Sequence, residues 1–230
     1  VKPFKFKQFE IQQSADVFRV GTDGVLLGAF ANIHFAKNVL EIGTGTGLIS
    51  LMLAQRNLNA NFSGIDINEE AVNLTKLNFK NSPFYLRLKN SLQDLKTFET
   101  DEKFDLIVSN PPYFEENSSG KDILARQTVE LNFQQLISQS SKLLSENGIF
   151  SVIIPFEVGA DFIEIAKNQL FLNRKINIYG IENSKIKRLV LEFSQIEKAL
   201  AESDFIIEKS PRKYSDQYLE LTKEFHVFKE

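Results

Sequence analysis

The 230 residues contain no cysteine and no tryptophan. The missing thiol excludes disulfides, zinc–thiolate sites and thiol nucleophiles. Histidine is scarce as well. His34 and His226 are the whole supply, neither falls in a motif, and each reads as structural. No Ser/His/Asp arrangement and no metal-ligand cluster is present, so no metal is expected. No run approaches the roughly 20 apolar residues of a membrane-spanning helix. The start, Val1-Lys2-Pro3-Phe4-Lys5-Phe6-Lys7, lacks the apolar stretch of a secretory signal. A cytoplasmic monomer, held to no membrane, is expected. Val1 is no initiator Met, so the natural chain is expected to begin upstream. Neither sign of charge dominates: 27 Lys and Arg face 30 Asp and Glu, a net of −3. Nucleic-acid binding must therefore rest on local patches.

The composition is that of a globular domain with a real core, 43% hydrophobic and 25% charged, with 21 phenylalanines to fill it. Alternation over 4–12 predicts a short strand or hairpin arm. Thr22-Asp23 open a helix over 25–31. Strands are expected at 39–42, 61–66, 84–89, 104–109 and 149–154, with 39–42 and 104–109 buried. Helices are expected over 47–55, over 71–81 behind the cap Asn68-Glu69-Glu70, through 133–144 with Gly148 as stop, and over 156–169. Segments 172–181 and 189–194 flank a polar turn and predict an antiparallel hairpin. The pattern is α/β: a Rossmann-like, doubly wound sheet with an antiparallel edge hairpin. One domain is expected, with an N-terminal extension over 1–33 and a core over 34–230.

Val39-Leu40-Glu41-Ile42-Gly43-Thr44-Gly45-Thr46-Gly47 is a strand running into a glycine turn and a helix. Such glycines allow positive φ and close approach of a ligand to the backbone. Ligands of open α/β sheets sit beyond the carboxyl ends of the strands. Asp66 ends the next strand, where a carboxylate can accept ribose hydroxyls. A dinucleotide fingerprint requires glycine at position 48, and this chain has Leu48. The loop, with Glu41 two residues before Gly43, resembles the first motif of the class I methyltransferases, whose cofactor is S-adenosyl-L-methionine. Thr44 and Ile67 flank these positions and join the expected cofactor contacts.

Asn110-Pro111-Pro112-Tyr113 follows the strand at 104–109. Two prolines remove two backbone donors and stiffen a corner whose carbonyls point outward. The Asn110 amide oxygen and the Pro111 carbonyl can accept both hydrogens of an NH2 group, and Tyr113 offers a π-face to a planar group. A delocalised amine is a poor nucleophile. Holding both N–H bonds favours a pyramidal nitrogen and aims its lone pair. The tetrapeptide resembles the signature of the amino-methyltransferases, which act on adenine N6, cytosine N4, guanine N2 or a glutamine amide.

Thr22 and Asp23 are read as meeting the cofactor's amino-acid end: helix N–H groups for its carboxylate, Asp23 for its ammonium. The run Gln8-Phe9-Glu10-Ile11, the stretch Arg19-Val20-Gly21-Thr22-Asp23-Gly24-Val25-Leu26-Leu27-Gly28-Ala29, the glycine loop and Asn110-Pro111-Pro112-Tyr113-Phe114 together resemble the bacterial tRNA1(Val) adenine-N6 methyltransferases over nearly the whole chain. That resemblance implies N6-methylation of the adenosine 3′ of the anticodon. It also implies that Ser91 and Leu92 touch the cofactor's adenine, with Asp94 a weaker candidate. Cationic strips for tRNA phosphates are Lys5 and Lys7 (beside Lys2), the cluster Lys185, Lys187 and Arg188, and Arg212 with Lys213. The polar stretch 115–130 is either a substrate-gating loop or an ordinary surface loop. Methylation of ribosomal guanine N2, DNA adenine N6 or a protein glutamine stays open, as does a cofactor-holding RNA-binding domain without turnover. The short stretch before Val39 favours tRNA.

Overall fold

The computed structural model describes residues 1–17, 19–112 and 122–227, of which 122–132 by backbone alone. A two-stranded hairpin opens the chain, β1 (Phe4–Lys5) against β2 (Glu10–Ile11), antiparallel as expected from its alternation. Helix α1 (Thr22–Phe30) follows. Then come β3 (Asn38–Ile42), α2 (Leu48–Arg56), β4 (Asn61–Asp66), α3 (Glu69–Lys80), β5 (Leu88–Leu92) and β6 (Phe104–Ser109). The second half holds α4 (Asp122–Leu143), β7 (Leu144–Pro155), α5 (Gly159–Ala166), β8 (Phe171–Ile181), β9 (Ile186–Ser194), β10 (Ala201–Ser210), β11 (Lys213–Tyr214) and α6 (Asp216–Thr222).

Nine strands form one sheet in the order β11-β10-β8-β9-β7-β6-β3-β4-β5. From β5 to β7 every pairing is parallel, and β9 alone runs against both of its neighbours, β7 and β8. Beyond the expected hairpin, β10 adds in parallel to β8 and β11 closes the edge. Two apolar layers cover the sheet. One face buries Leu26, Leu51, Met52, Phe62 and Phe79 beneath α1–α3, joined by Phe6 and Phe9 of the hairpin. The other buries Ile137, Phe150, Phe162 and Phe193 beneath α4 and α5. Helices α1 and α2 lie close: a Cβ at Gly28 would stand 2.8 Å from Met52 Sδ. Among the described residues no helix is long and apolar enough to cross a membrane.

Four expected boundaries move. The strand expected over 84–89 starts at Leu88 instead. Phe84 is buried and its ring meets Phe9 edge-on, so it serves the core rather than a ladder. Gly148 does not stop α4, which ends at Leu143; it lies inside β7. There, four residues of β7 (145–148) face one of β6 (Asp105), between the pairs Phe104↔Leu144 and Leu106↔Ile149. A side chain on Gly148 would meet the Phe104 carbonyl at 2.7 Å. The helix expected over 156–169 is a 3-10 turn, Phe156–Val158, and then the shorter α5. From Asp122 onward the polar stretch over 115–130 belongs to α4, and its earlier part lies outside the described residues.

Candidate active site

Register places the two motifs together. In β3, Ile42 pairs with Ile65 of β4 on one side and with Ser109 of β6 on the other. Gly43 and Asn110 therefore step off neighbouring strands at the same level. Ser109 Oγ closes the seam by donating to the Ile42 carbonyl at 2.9 Å. On the far side Asp66 pairs with Leu92, so Gly43, Asp66, Ile67, Ser91, Leu92, Asn110, Pro111 and Pro112 share one carboxyl edge. Asn110 and Pro111 are half-buried and Pro112 is exposed. Tyr113 lies outside the described residues.

The glycine turn is tied from below and open above. Gly43, Gly45 and Gly47 all have positive φ, at 76°, 54° and 78°, a region that L side chains enter only at a cost. A Cβ on Gly43 or Gly45 would meet nothing within 4 Å, whereas on Gly47 it would stand 2.6 Å from the Phe79 ring. Gly43 and Gly45 thus face ligand space and Gly47 faces the core. The backbone N–H groups of Gly43 and Thr44 donate to the Ile65 carbonyl at 2.9 and 3.2 Å. Thr44 is buried, with its methyl against Gly64. The Gly45 N–H donates to Asp66 Oδ2 at 2.9 Å, and the Asn68 N–H to Asp66 Oδ1 at 2.9 Å. Each carboxylate oxygen keeps acceptor capacity for a ribose hydroxyl. Beside it stand two exposed apolar side chains, Ile67 at 70% and Leu92 at 50%, which suit the edge of a planar base. Ser91 is exposed next to them, while Asp94 spends an oxygen on the Lys96 N–H in its own turn.

Ser50, Thr75 and Asn78 belong to no motif, yet they hold the loop. Thr75 Oγ1 donates to the Gly45 carbonyl at 2.8 Å, and Asn78 Nδ2 donates to the Thr46 carbonyl at 2.9 Å. Asn78 also exchanges hydrogen bonds with the Gln12 backbone, which fastens the N-terminal extension to the same turn. A signal for both was present: two polar residues three apart on the buried face of an amphipathic helix.

Glu41 lies behind the loop, 1% exposed. Its Oε2 accepts from the Ser50 N–H at 3.0 Å and from the Ser50 hydroxyl at 2.5 Å. Burial pushes its carboxyl up to about 8; the Ser50 bonds oppose that rise and nearby Asp66 adds to it. Glu41, expected as a cofactor contact, thus also anchors β3 to the first turn of α2.

Thr22 is exposed at the start of α1. Asp23 and Arg188, expected to serve cofactor and RNA separately, meet each other: Arg188 Nε donates to Asp23 Oδ2 at 2.8 Å. Arg188 is therefore not part of a free basic patch. The other cations divide by place. Pro155 at the carboxyl end of β7 pairs with Arg188 at the start of β9. Likewise Ile181 ends β8 beside Glu208, and Ser210 ends β10 beside Lys213. Lys185, Lys187, Arg212 and Lys213, with Lys209, thus occupy the carboxyl edge beyond Asn110. At about 4.8 Å per strand they extend to about 24 Å from it. Arg212 sits at the turn apex with φ 64°, its N–H held by Glu208 Oε2. Glu182, Glu208 and Asp216 are interspersed, and Asp216 lies 3.5 Å from Lys209. Lys5 and Lys7 do not join this edge. Lys5 lies 3.7 Å from Glu10, and the Lys7 N–H donates to the Phe225 carbonyl, next to the Glu224 carbonyl that Gln55 holds at the far end of α2.

A surface groove of about 670 Å³, with Gln134, Gln139 and Asn168 in its wall, shares no residue with this edge. Among the described residues no group of three or more His, Asp or Glu is placed to hold a metal ion.

The family model for the methyltransferase small domain matches residues 12–177. The chain is 53% identical over 230 residues to a tRNA1(Val) (adenine(37)-N6)-methyltransferase of Flavobacteriaceae bacterium (strain 3519-10), covering 99% of this chain and 100% of that protein. A protein of the same name from Phocaeicola vulgatus is 42% identical, with 97% of each chain covered. Among solved structures, a predicted O-methyltransferase from Agrobacterium tumefaciens superposes with a TM-score of 0.71 at 17% identity, over 88% of this chain and 96% of that one. A methyltransferase from Pyrococcus furiosus does so with 0.63 at 18% identity, over 82% and 90%. These two bear on the fold alone, and the fold they share is the α/β sheet described above.

Proposed function

This chain belongs to the methyltransferase small-domain family and, within it, to the tRNA1(Val) (adenine(37)-N6)-methyltransferases, and from that premise we infer that it methylates N6 of adenosine 37 in tRNA1(Val). The observation that carries the reading to particular residues is the pairing Ile42↔Ser109, which seats Asn110 beside Gly43. The open turn at Gly43 and Gly45 and the carboxylate of Asp66 fit S-adenosyl-L-methionine, a cofactor without a pyrophosphate. When bound, that cofactor supplies an electrophilic methyl group on a sulfonium.

The protein's own part is positioning. Asp66 accepts the ribose hydroxyls, and Ile67, Ser91 and Leu92 border the adenine. Thr22 and the first turn of α1 meet the amino-acid end, with Asp23 available when Arg188 releases it. The Asn110 amide oxygen and the Pro111 carbonyl accept the two N–H bonds of the target amine and orient its lone pair. Tyr113 stacks on the extruded base. Lys185, Lys187, Arg212 and Lys213 neutralise phosphates of the anticodon arm along the sheet edge. The whole chain acts as one methyltransferase domain in the cytoplasm, where its tRNA is. The test is transfer of labelled methyl to total tRNA from a strain lacking the gene, followed by nucleoside analysis. Label in N6-methyladenosine of a valine tRNA is expected; label confined to protein overturns the reading.

A further inference from the structure

Among the described residues, four large apolar side chains stand exposed on the carboxyl edge: Ile67, Leu92, Phe156 and Tyr214. The first two adjoin Asp66 and are accounted for by the cofactor site. Tyr214 lies on β11, five strands from Asn110, stacked on the buried Tyr218 at 4.4 Å between ring centroids. Phe156 has no such account. A single exposed phenylalanine is ordinary on a protein surface; its place here is what matters.

Strand β7 outruns β6. Their last pair is Ser109↔Val152, but β7 continues through Ile153, Ile154 and Pro155 against β9. Its end therefore projects about 10 Å past that pair, on the strand next to the one that leads into the turn at 110–112. Phe156 is the next residue and is 45% exposed. The turn that carries it is pinned. Val158 packs into the apolar layer under α5, and a Cβ on Gly159 would stand 2.3 Å from Leu189 Cδ1. Phe156 cannot trade places with Val158 without moving α5 off β9. Lys187 lies at the start of β9 on the next strand over, so a phosphate beside Phe156 would find positive charge.

We propose that Phe156 is a substrate contact: its ring packs on the target adenine in the corner formed with Asn110-Pro111-Pro112. This rests on the methyl transfer to tRNA inferred above. An extruded base loses its stacking partners, and a ring at the edge of the corner replaces one of them and covers the amine from water.

The experiment compares Phe156→Ala, Phe156→Leu and Phe156→Tyr with the parent, using unmodified tRNA1(Val) and a second tRNA carrying 2-aminopurine at position 37. Base–aromatic stacking predicts that Phe156→Ala lowers kcat/KM for tRNA by about tenfold or more while cofactor affinity stays within about twofold. Phe156→Tyr should stay near the parent, with Phe156→Leu between. Bound 2-aminopurine should be brighter with Phe156→Ala than with the parent, because the quenching ring is gone. Unchanged kcat/KM in Phe156→Ala overturns the proposal. If the alanine variant also loses cofactor affinity, the other two decide: rescue by tyrosine and not leucine supports the stacking role, and equal rescue by both overturns it. A parent enzyme that methylates no tRNA fails the underlying reading instead.

Discussion

The two halves of the carboxyl edge are built differently. From β5 to β6 the chain spends its polar groups on itself. Gly45 with Asp66, Glu41 with Ser50, and Gly45 and Thr46 with Thr75 and Asn78 are joined by hydrogen bonds that involve two strands and two helices. From β7 to β11 the edge is made of turns bearing lysine and arginine, and the ion pairs there are part-exposed, as Asp23–Arg188 and Lys209–Asp216 show. Exposed pairs contribute little to stability, so this half can exchange its partners for phosphates at small cost. A small, invariant cofactor suits a preset cradle, and a large polyanion suits a graded charged rim. Substitutions that separate the halves test this division.

The seam between them should be the most sensitive point. Asn110→Ala is expected to lower the methyl-transfer rate by about 10²–10³-fold, the scale for removing one polar group that holds the reacting atoms. Cofactor affinity should change far less. Single-turnover transfer alongside cofactor titration checks both, and equal losses in the two would place Asn110 with the cradle rather than with the acceptor.

Within the cradle, the glycines should divide. Gly47→Ala adds both left-handed strain and a clash with Phe79, and should destabilise the protein by roughly 2–5 kcal/mol in thermal unfolding. Gly43→Ala carries the strain without a clash, so it should cost about 1 kcal/mol and act mainly by weakening cofactor binding. If both melt alike, Gly43 does not face ligand space.

The cradle and the rim were not equally legible in the sequence. Strands β4 and β6 match their expected bounds: β6 is a largely apolar run that is almost wholly buried, and β4 buries Phe62, Gly64 and Ile65 between the polar ends Asn61 and Asp66. Strand β5 is an edge strand with Lys89, Asn90 and Ser91 in it, and the neighbouring Phe84 mimics a strand start while serving the core. Strand β10 opens with the exposed run Ala201-Glu202-Ser203-Asp204, which has no alternation; only pairing with β8, some 27 residues away in register, makes it a strand. The glycines, Asp66 and Asn110 were readable because local geometry demands those residue types. The bonds from Thr75 and Asn78 span 30 and 32 residues, and the meeting of Asp23 with Arg188 spans 165. Such pairings are set by topology: local spacing shows that Thr75 and Asn78 face inward, but not which groups they meet.

Glu41 offers a pH test of the cradle. An unfolded glutamic acid titrates near 4.5, and burial raises Glu41 to about 8. The folded state thus favours the neutral acid. Stability linked to it is fully present below about 4.5 and is lost as pH rises through about 8. Glu41→Gln keeps an oxygen that can accept from both the Ser50 N–H and the Ser50 hydroxyl, and cannot ionise. The cofactor-free parent should therefore lose stability against Glu41→Gln between pH 6 and 9, by about 2 kcal/mol. Denaturant unfolding at several pH values reads this; parallel curves would mean that Glu41 is not held neutral.

The rim should give the smallest effect per residue and the clearest signature. Reversing two cations, Lys185→Glu with Lys187→Glu, should weaken tRNA binding while leaving cofactor affinity and melting temperature near the parent. The log–log dependence of tRNA affinity on salt should become shallower by roughly 0.7–0.9 for each phosphate that is no longer neutralised. Lys5→Glu with Lys7→Glu makes the same change in net charge at the far end of α2, so it controls for global electrostatics. A shallower slope from the first pair alone means that phosphates follow the carboxyl edge past Asn110. An equal change from both pairs means that long-range charge, rather than placement on this edge, governs the encounter, and the division between cradle and rim then reduces to one between buried and exposed.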